Sequence, residues 1–173
     1  MSETGSAAMA SVEEFDAAPE PRADALLRSC CASRTWVAAM LAGRPYGSLP
    51  ELTAAAQAAV LELAWPDVEE ALAAHPRIGE RPEGNGREAA WSRQEQQGAA
   101  AAEPETQAEQ RRRNAEYEQR FGHVYLVCAT GRSAADLLDD VTARLAHDAG
   151  TERDVVRREL AAIVELRLAK ALA

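Results

Sequence analysis

Lysine is almost missing from this 173-residue chain: Lys170 is the only one, and the other basic residues are arginines. That bias suggests a GC-rich genome and carries no mechanism. Acidic residues outnumber basic ones, 28 to 19, so the formal net charge is -9. A surface of that sign repels phosphate backbones and disfavours nucleic acid as a partner. The one basic cluster, Arg111-Arg112-Arg113, is flanked by Glu109, Gln110 and Glu116 and reads as a solvated helix face. Aromatics make up only 5% of the chain, and alanine dominates the apolar fraction. Small side chains favour helices packed closely together. Cysteine is scarce too: Cys30, Cys31 and Cys128, an odd count with two adjacent. Neighbouring cysteines rarely bridge, so reduced thiols are the plain reading. No CxxC or HxxxH spacing suggests a metal. No apolar run is long enough to span a bilayer, and no membrane partner is expected. The first residues lack the basic start and apolar stretch of a signal peptide, and the last carry no sorting signal. A bacterial cytoplasm is the expected location.

What remains is a series of helices. Residues 1–10 are small and polar and read as a frayed tail, leaving 11–173 as a single domain. Helices are expected over about 20–31, with Pro21 in the first turn, and from Ser33 as N-cap to Gly43. Another starts at Ser48, with Pro50 early and Glu51 three after the cap. One more begins near Pro66 and runs to His75. Pro104 splits the long polar region into roughly 88–102 and 104–120. The last two helices start at Ser133 and Thr151. In the final one, Val155, Leu160, Ile163, Val164, Leu166 and Leu168 form an apolar stripe. The stretch "FGHVYLVCATG" has β-like composition but no partner strand, so it is read as a buried extended segment. The sum is an all-α, compact single-domain bundle of about seven or eight helices.

Three places could carry chemistry. Proline disfavours the α conformation for the residue before it, so the helix ends at His75, ahead of Pro76 and a Gly-rich loop, which places the imidazole at an exposed rim. Histidine trades protons near neutral pH, but a capping role at the helix end fits the same residue. In "SRQEQ", Ser92 lies three residues before Glu95 and four before Gln96, on one helical face. A hydroxyl, a carboxylate and an amide there match a polar heterocycle, or simply a solvated face. Arg167 sits within the apolar part of the last helix and must find a carboxylate, carbonyls or a ligand. A structural ion pair or a snorkelling side chain satisfies that equally well. His123 and His147 read as core and cap residues. "GERPEGNG" lacks the lysine and strand–helix context of a phosphate loop.

In this order, "HPRIG" (75–79), "SRQEQ" (92–96), "NAEYEQRFG" (114–122), "YLVCA" (125–129) and "ELAAIVELRL" (159–168) resemble the 2-oxo-4-hydroxy-4-carboxy-5-ureidoimidazoline (OHCU) decarboxylases of urate breakdown. The resemblance covers most of the chain from about residue 25 onward. It implies an all-helical homodimer without cofactor or metal that converts OHCU to (S)-allantoin. It implies that His75 transfers protons; Glu95 is expected to steer its tautomer or to bind the ureido or hydroxyl group. Pro76, Ser92, Glu95, Gln96 and Arg167 match positions that hold the substrate. The main chain of Tyr125, Leu126, Val127, Cys128 and Ala129 matches a segment that meets the ring. The chain departs from the family at His123, where an aromatic is common, at His147, where asparagine is common, and in loop 80–88. Two rivals stand beside this reading: a non-catalytic helical binding or assembly module, and a same-fold enzyme acting on another purine-derived acid.

Overall fold

Serine and aspartate side chains start half of the ten helices in this computed structural model, which describes residues 8–173. The elements are α1 (Val12–Ala17), α2 (Glu20–Cys30), α3 (Arg34–Ala42), α4 (Leu49–Leu61) and α5 (Trp65–Leu72). They continue with α6 (Arg87–Glu95), α7 (Gln97–Ala100), α8 (Pro104–Phe121), α9 (Ala134–Arg144) and α10 (Ala149–Leu172). Ser11, Ser33 and Ser48 each accept the main-chain N–H three residues on, and Ser133 forms a reciprocal capping box with Asp136. Pro104 opens α8, and Gly122, at φ 78°, closes it in the left-handed region.

The all-helical architecture is as expected, but its ten helices among the described residues exceed the seven or eight expected. Two come from short pieces. Ser11 caps α1, and Phe15 of that turn is fully buried. The segment expected as one helix over 88–102 breaks at Gln96, whose side chain bonds back to the 77–79 turn. Gly98 then lets α7 approach the Arg132 main chain, since a Cβ there would lie 2.1 Å from the Arg132 carbonyl oxygen. The last helix starts at Ala149 with Asp148 as cap, two residues before Thr151. Its buried stripe uses Val156 where Val155 was expected, and Val155 and Leu166 are only half-buried. Helix α5 ends at Leu72 instead of His75; two i→i+3 bonds, from Ala74 and His75, tighten the chain into a turn. Of the tail, residues 1–7 lie outside the described residues, and Met9 is buried in the core.

Two apolar clusters hold the fold. The larger is gathered from α1–α5 and α10, with α10 packed along α4 and α2. The smaller joins α8 and α9 with Ile78 and Ala99. The 124–129 segment carries no helix or strand and runs between the clusters. It is the buried irregular stretch that its composition suggested.

Beneath it lies a buried polar network that the sequence reading did not anticipate. Glu152 is fully buried at the start of α10. It accepts hydrogen bonds from Arg144 Nε (2.8 Å) and Nη2 (2.6 Å) and from the Tyr117 hydroxyl, and His147 Nδ1 lies 2.9 Å from it. Burial, then Glu152, push the Tyr117 hydroxyl far above its ordinary pKa, so it stays a donor. Tyr117→Phe keeps the ring contacts and strips Glu152 of that donor. It should cost about 1–3 kcal/mol in urea unfolding. Unchanged stability would mean that Arg144 and His147 satisfy the carboxylate alone.

Candidate active site

Four separate pieces of chain meet at one narrow cavity. His75 and Pro76 come from the turn after α5, and Ser92, Glu95 and Gln96 from one face of α6 and its end. Tyr125, Leu126, Val127 and Ala129 come from the extended segment. Ile78 and Ile163 complete the wall and were not foreseen. Ile163 is on the apolar stripe of α10, so it read as ordinary core. The space between them is about 20 Å³, room for about one water molecule. It adjoins two larger clefts that also reach His75. One, of about 360 Å³, runs along Pro82, Glu83, Gly86 and Ala89 and shares Ser92. The other, of about 450 Å³, opens toward Arg77 and His123.

Ser92, Glu95 and Gln96 of "SRQEQ" do face one way in space. Ser92 and Gln96 are buried and Glu95 is 11% exposed, so this face is packed, not solvated. Arg167 is also buried and lies behind that face. Its Nε and Nη2 grip Glu95 in a fork, at 2.9 and 3.1 Å. Nη2 also reaches Ser92 Oγ at 3.2 Å, and Nη1 reaches the Ser29 carbonyl at 3.4 Å. The arginine therefore orients two cavity residues and does not itself line the wall. Gln96 accepts from the Gly79 N–H at 3.1 Å and donates to the Arg77 carbonyl at 3.4 Å, tying α6 to the loop after His75. Asn114 donates to the Ile78 carbonyl at 2.8 Å and accepts from Gln110, so α8 braces the same loop.

His75 is half-buried, not at an exposed rim as its place before the loop suggested. Burial, followed by the positive charge of Arg167, lowers its pKa from 6.5 to about 3. The ring is neutral in the free protein near pH 7, whereas the sequence reading placed its pKa near working pH. It starts as a base. Both Glu95 oxygens face Arg167, and no hydrogen bond joins Glu95 to His75 among the described residues. A tautomer-steering role for Glu95 therefore has no contact behind it in the free protein.

Cys128 does not line the cavity; its N–H donates to Glu159 Oε2 at 2.8 Å. Its thiol is pushed up by burial and then by Glu159, and burial raises Cys30 to about 12 and Cys31 to about 11. Thiolate nucleophiles are thus unavailable near neutral pH. The Tyr125 hydroxyl turns away, donating to Asp140 at 2.5 Å, so this residue meets the cavity by its other atoms. His123 packs edge-on to Trp65 and Tyr117, and His147 meets Glu152; neither lines this cavity. No group of three or more His, Cys, Asp or Glu able to hold a metal occurs among the described residues.

An all-helical fold that brings a neutral imidazole, a paired carboxylate, an amide, a hydroxyl and free main chain to one cavity defines a protein built for acid–base work on a small polar molecule. The family model described as OHCU decarboxylase matches residues 16–169, and the chain belongs to that family. It is 29% identical over 144 residues to the "Uric acid degradation bifunctional protein TTL" of Arabidopsis thaliana, covering 82% of this chain and 44% of that protein. The chain thus spans less than half of that relative. It is 29% identical over 133 residues to the "2-oxo-4-hydroxy-4-carboxy-5-ureidoimidazoline decarboxylase" of Amia calva, covering 76% of each. A crystal structure of OHCU decarboxylase in the presence of (S)-allantoin superposes with TM-score 0.73 and 25% identity, covering 85% of this chain and 96% of that one.

Proposed function

We propose that this protein is a carboxy-lyase that decarboxylates OHCU to (S)-allantoin in urate degradation. On this reading residues 11–173 act as one catalytic domain, without cofactor, in a cytoplasmic homodimer. The observation that carries the reading is the meeting of His75, Ser92, Glu95 and Gln96 with Tyr125, Leu126, Val127 and Ala129 at one cavity. A non-catalytic module predicts that His75, Glu95 and Arg167 do not converge; His75 and Glu95 share the cavity, and Arg167 grips Glu95 from behind it.

The substrate's carboxylate is on a carbon that also bears a hydroxyl and adjoins a ring C=N. When the bond to CO₂ breaks, its electron pair moves into that imine, as in a β-keto acid. The electron sink is part of the substrate. Neutral His75 takes the hydroxyl proton as CO₂ leaves, a proton from water goes to the imine nitrogen that received the electron pair, and the resulting imidazolium returns its proton to the neighbouring carbon from one face. Pro76 and Ser92 shape the wall and Gln96 anchors a ring carbonyl, while Arg167, which does not line the cavity of the free protein, reaches another through an N–H once loop 79–86 has moved and the ring has entered. Arg167 Nη1 is the free-most donor, its one partner being the long contact to Ser29. An arginine clamped on the departing carboxylate would stabilise the ground state and slow the step. The ring enters from the cleft shared by His75 and Ser92, and loop 79–86 must give way, because the space at hand is too small. Gly79 and Gly84 hold positive φ in that loop.

The test is freshly generated OHCU with optical activity as readout, compared with the spontaneous reaction, which gives racemic product. Acceleration with enrichment of (S)-allantoin is expected. No acceleration, or racemic product, overturns the proposal and returns the other purine-derived acids to consideration.

The pH profile follows from the neutral ring. The acid limb of kcat/KM reports the free protein and should lie well below pH 6.5, because His75 is not protonated there. The limb of kcat should lie higher, since a bound carboxylate favours the imidazolium. A kcat/KM limb at or above pH 6.5 would assign it to a group other than His75.

A further inference from the structure

Side chains of 124–129 alternate between the two cores. Val124, Leu126 and Cys128 join the larger, and Tyr125, Val127 and Ala129 the smaller. A period of two marks extended chain. In extended chain, one residue's N–H and C=O leave by the same edge, and its neighbours' leave by the other. One edge here is gripped at two points. Arg144 Nη1, from α9, donates to the Leu126 carbonyl at 2.8 Å. Glu159 Oε2, from α10, accepts the Cys128 N–H at 2.8 Å.

The opposite edge belongs to Val127. No hydrogen bond among the described residues engages its N–H or C=O. Val127 lines the cavity while Cys128 does not. A donor and an acceptor side by side fit a cyclic ureide, whose ring presents C=O next to N–H. We propose that Arg144 and Glu159 are positioning residues, which hold the rear edge of 126–128 so that the Val127 main chain meets the amide edge of a cyclic ureide. This rests on the decarboxylase reading for the identity of the ureide. The grips are themselves braced: Arg144 by Glu152 and by Asp140 at 3.3 Å, Glu159 by Arg132 at 3.9 Å.

Truncating Arg144 would strand fully buried Glu152, so the Glu159 pair decides the matter. Glu159→Ala frees the Cys128 N–H. It should raise KM for OHCU about tenfold while kcat stays within about threefold, the contact being uniform through the reaction. Binding of (S)-allantoin, by calorimetry, should weaken by about the same factor. Glu159→Gln keeps an oxygen that accepts the same N–H and should return both quantities to within about twofold of wild type. Wild-type KM and (S)-allantoin affinity in Glu159→Ala overturn the proposal. So does a Gln variant as impaired as the Ala variant, which would make charge the cause, not the hydrogen bond. If wild type binds (S)-allantoin but does not turn OHCU over, the decarboxylase reading fails and the affinity series decides the positioning alone. A wild type that does neither overturns both.

Discussion

His75→Asn should lower kcat about 10³-fold, the contribution typical of a positioned general acid–base group. Far-UV circular dichroism should not change. The residue lies beyond the end of α5, and its side chain makes no hydrogen bond among the described residues. The variant also carries an independent check on the imidazole. In wild type the folded pKa is about 3 against an ordinary 6.5, so between these values the unfolded chain binds a proton that the folded one refuses. Stability from this group is therefore complete above pH 6.5 and declines as pH falls toward 3. Asparagine does not titrate, so the decline should be shallower in His75→Asn. Urea unfolding at several pH values in both proteins measures the difference. Equal slopes would contradict a neutral, desolvated His75, and near wild-type turnover would remove it from the mechanism.

Much of this molecule was readable in one dimension because its helix starts are local chemistry. A serine ahead of an apolar run satisfies an N–H three residues on, and Ser33, Ser48 and Ser133 each do so. The 125–129 stretch read as non-helical because β-branched and aromatic residues cluster there with no strand to pair with. The unread parts depend on distance along the chain. Nothing near Gln96 announces a helix break; its cause is the loop it holds, 17 residues earlier. His75 looked exposed because the elements that cover it lie elsewhere in the chain, and that same covering displaced its pKa. The Arg144–Glu152 network joins α9 to α10, and each member alone reads as a surface charge. One signal was available. Leu137, Val141 and Arg144 fall at i, i+4 and i+7, so the arginine continues an apolar stripe. Arg144, like Arg167, is a charge within an apolar stripe that must find a partner.

Arg167→Lys should reduce kcat/KM about 10²-fold, through loss of roughly 3 kcal/mol of charge-assisted hydrogen bonding. The guanidinium serves four acceptors at once: both Glu95 oxygens, Ser92 Oγ and the Ser29 carbonyl. These lie on different sides of a planar fork, and a single ammonium nitrogen cannot meet them together. Lysine keeps the positive charge, so Glu95 is not left as an unpaired buried anion, and the fold should survive. What changes is orientation. Glu95 and Ser92 lose the fork that fixes them on the cavity wall, and Nη1, the donor left for a ring carbonyl, disappears. The smaller cation also alters the field at His75, because Arg167 is one of the two causes that depress its pKa. The acid limb of kcat/KM should therefore shift in the lysine variant along with the rate. A change in rate with no change in the pH profile would confine Arg167 to holding Glu95 and Ser92. A variant indistinguishable from wild type in both would make the ion pair a brace between α6 and α10 and nothing more.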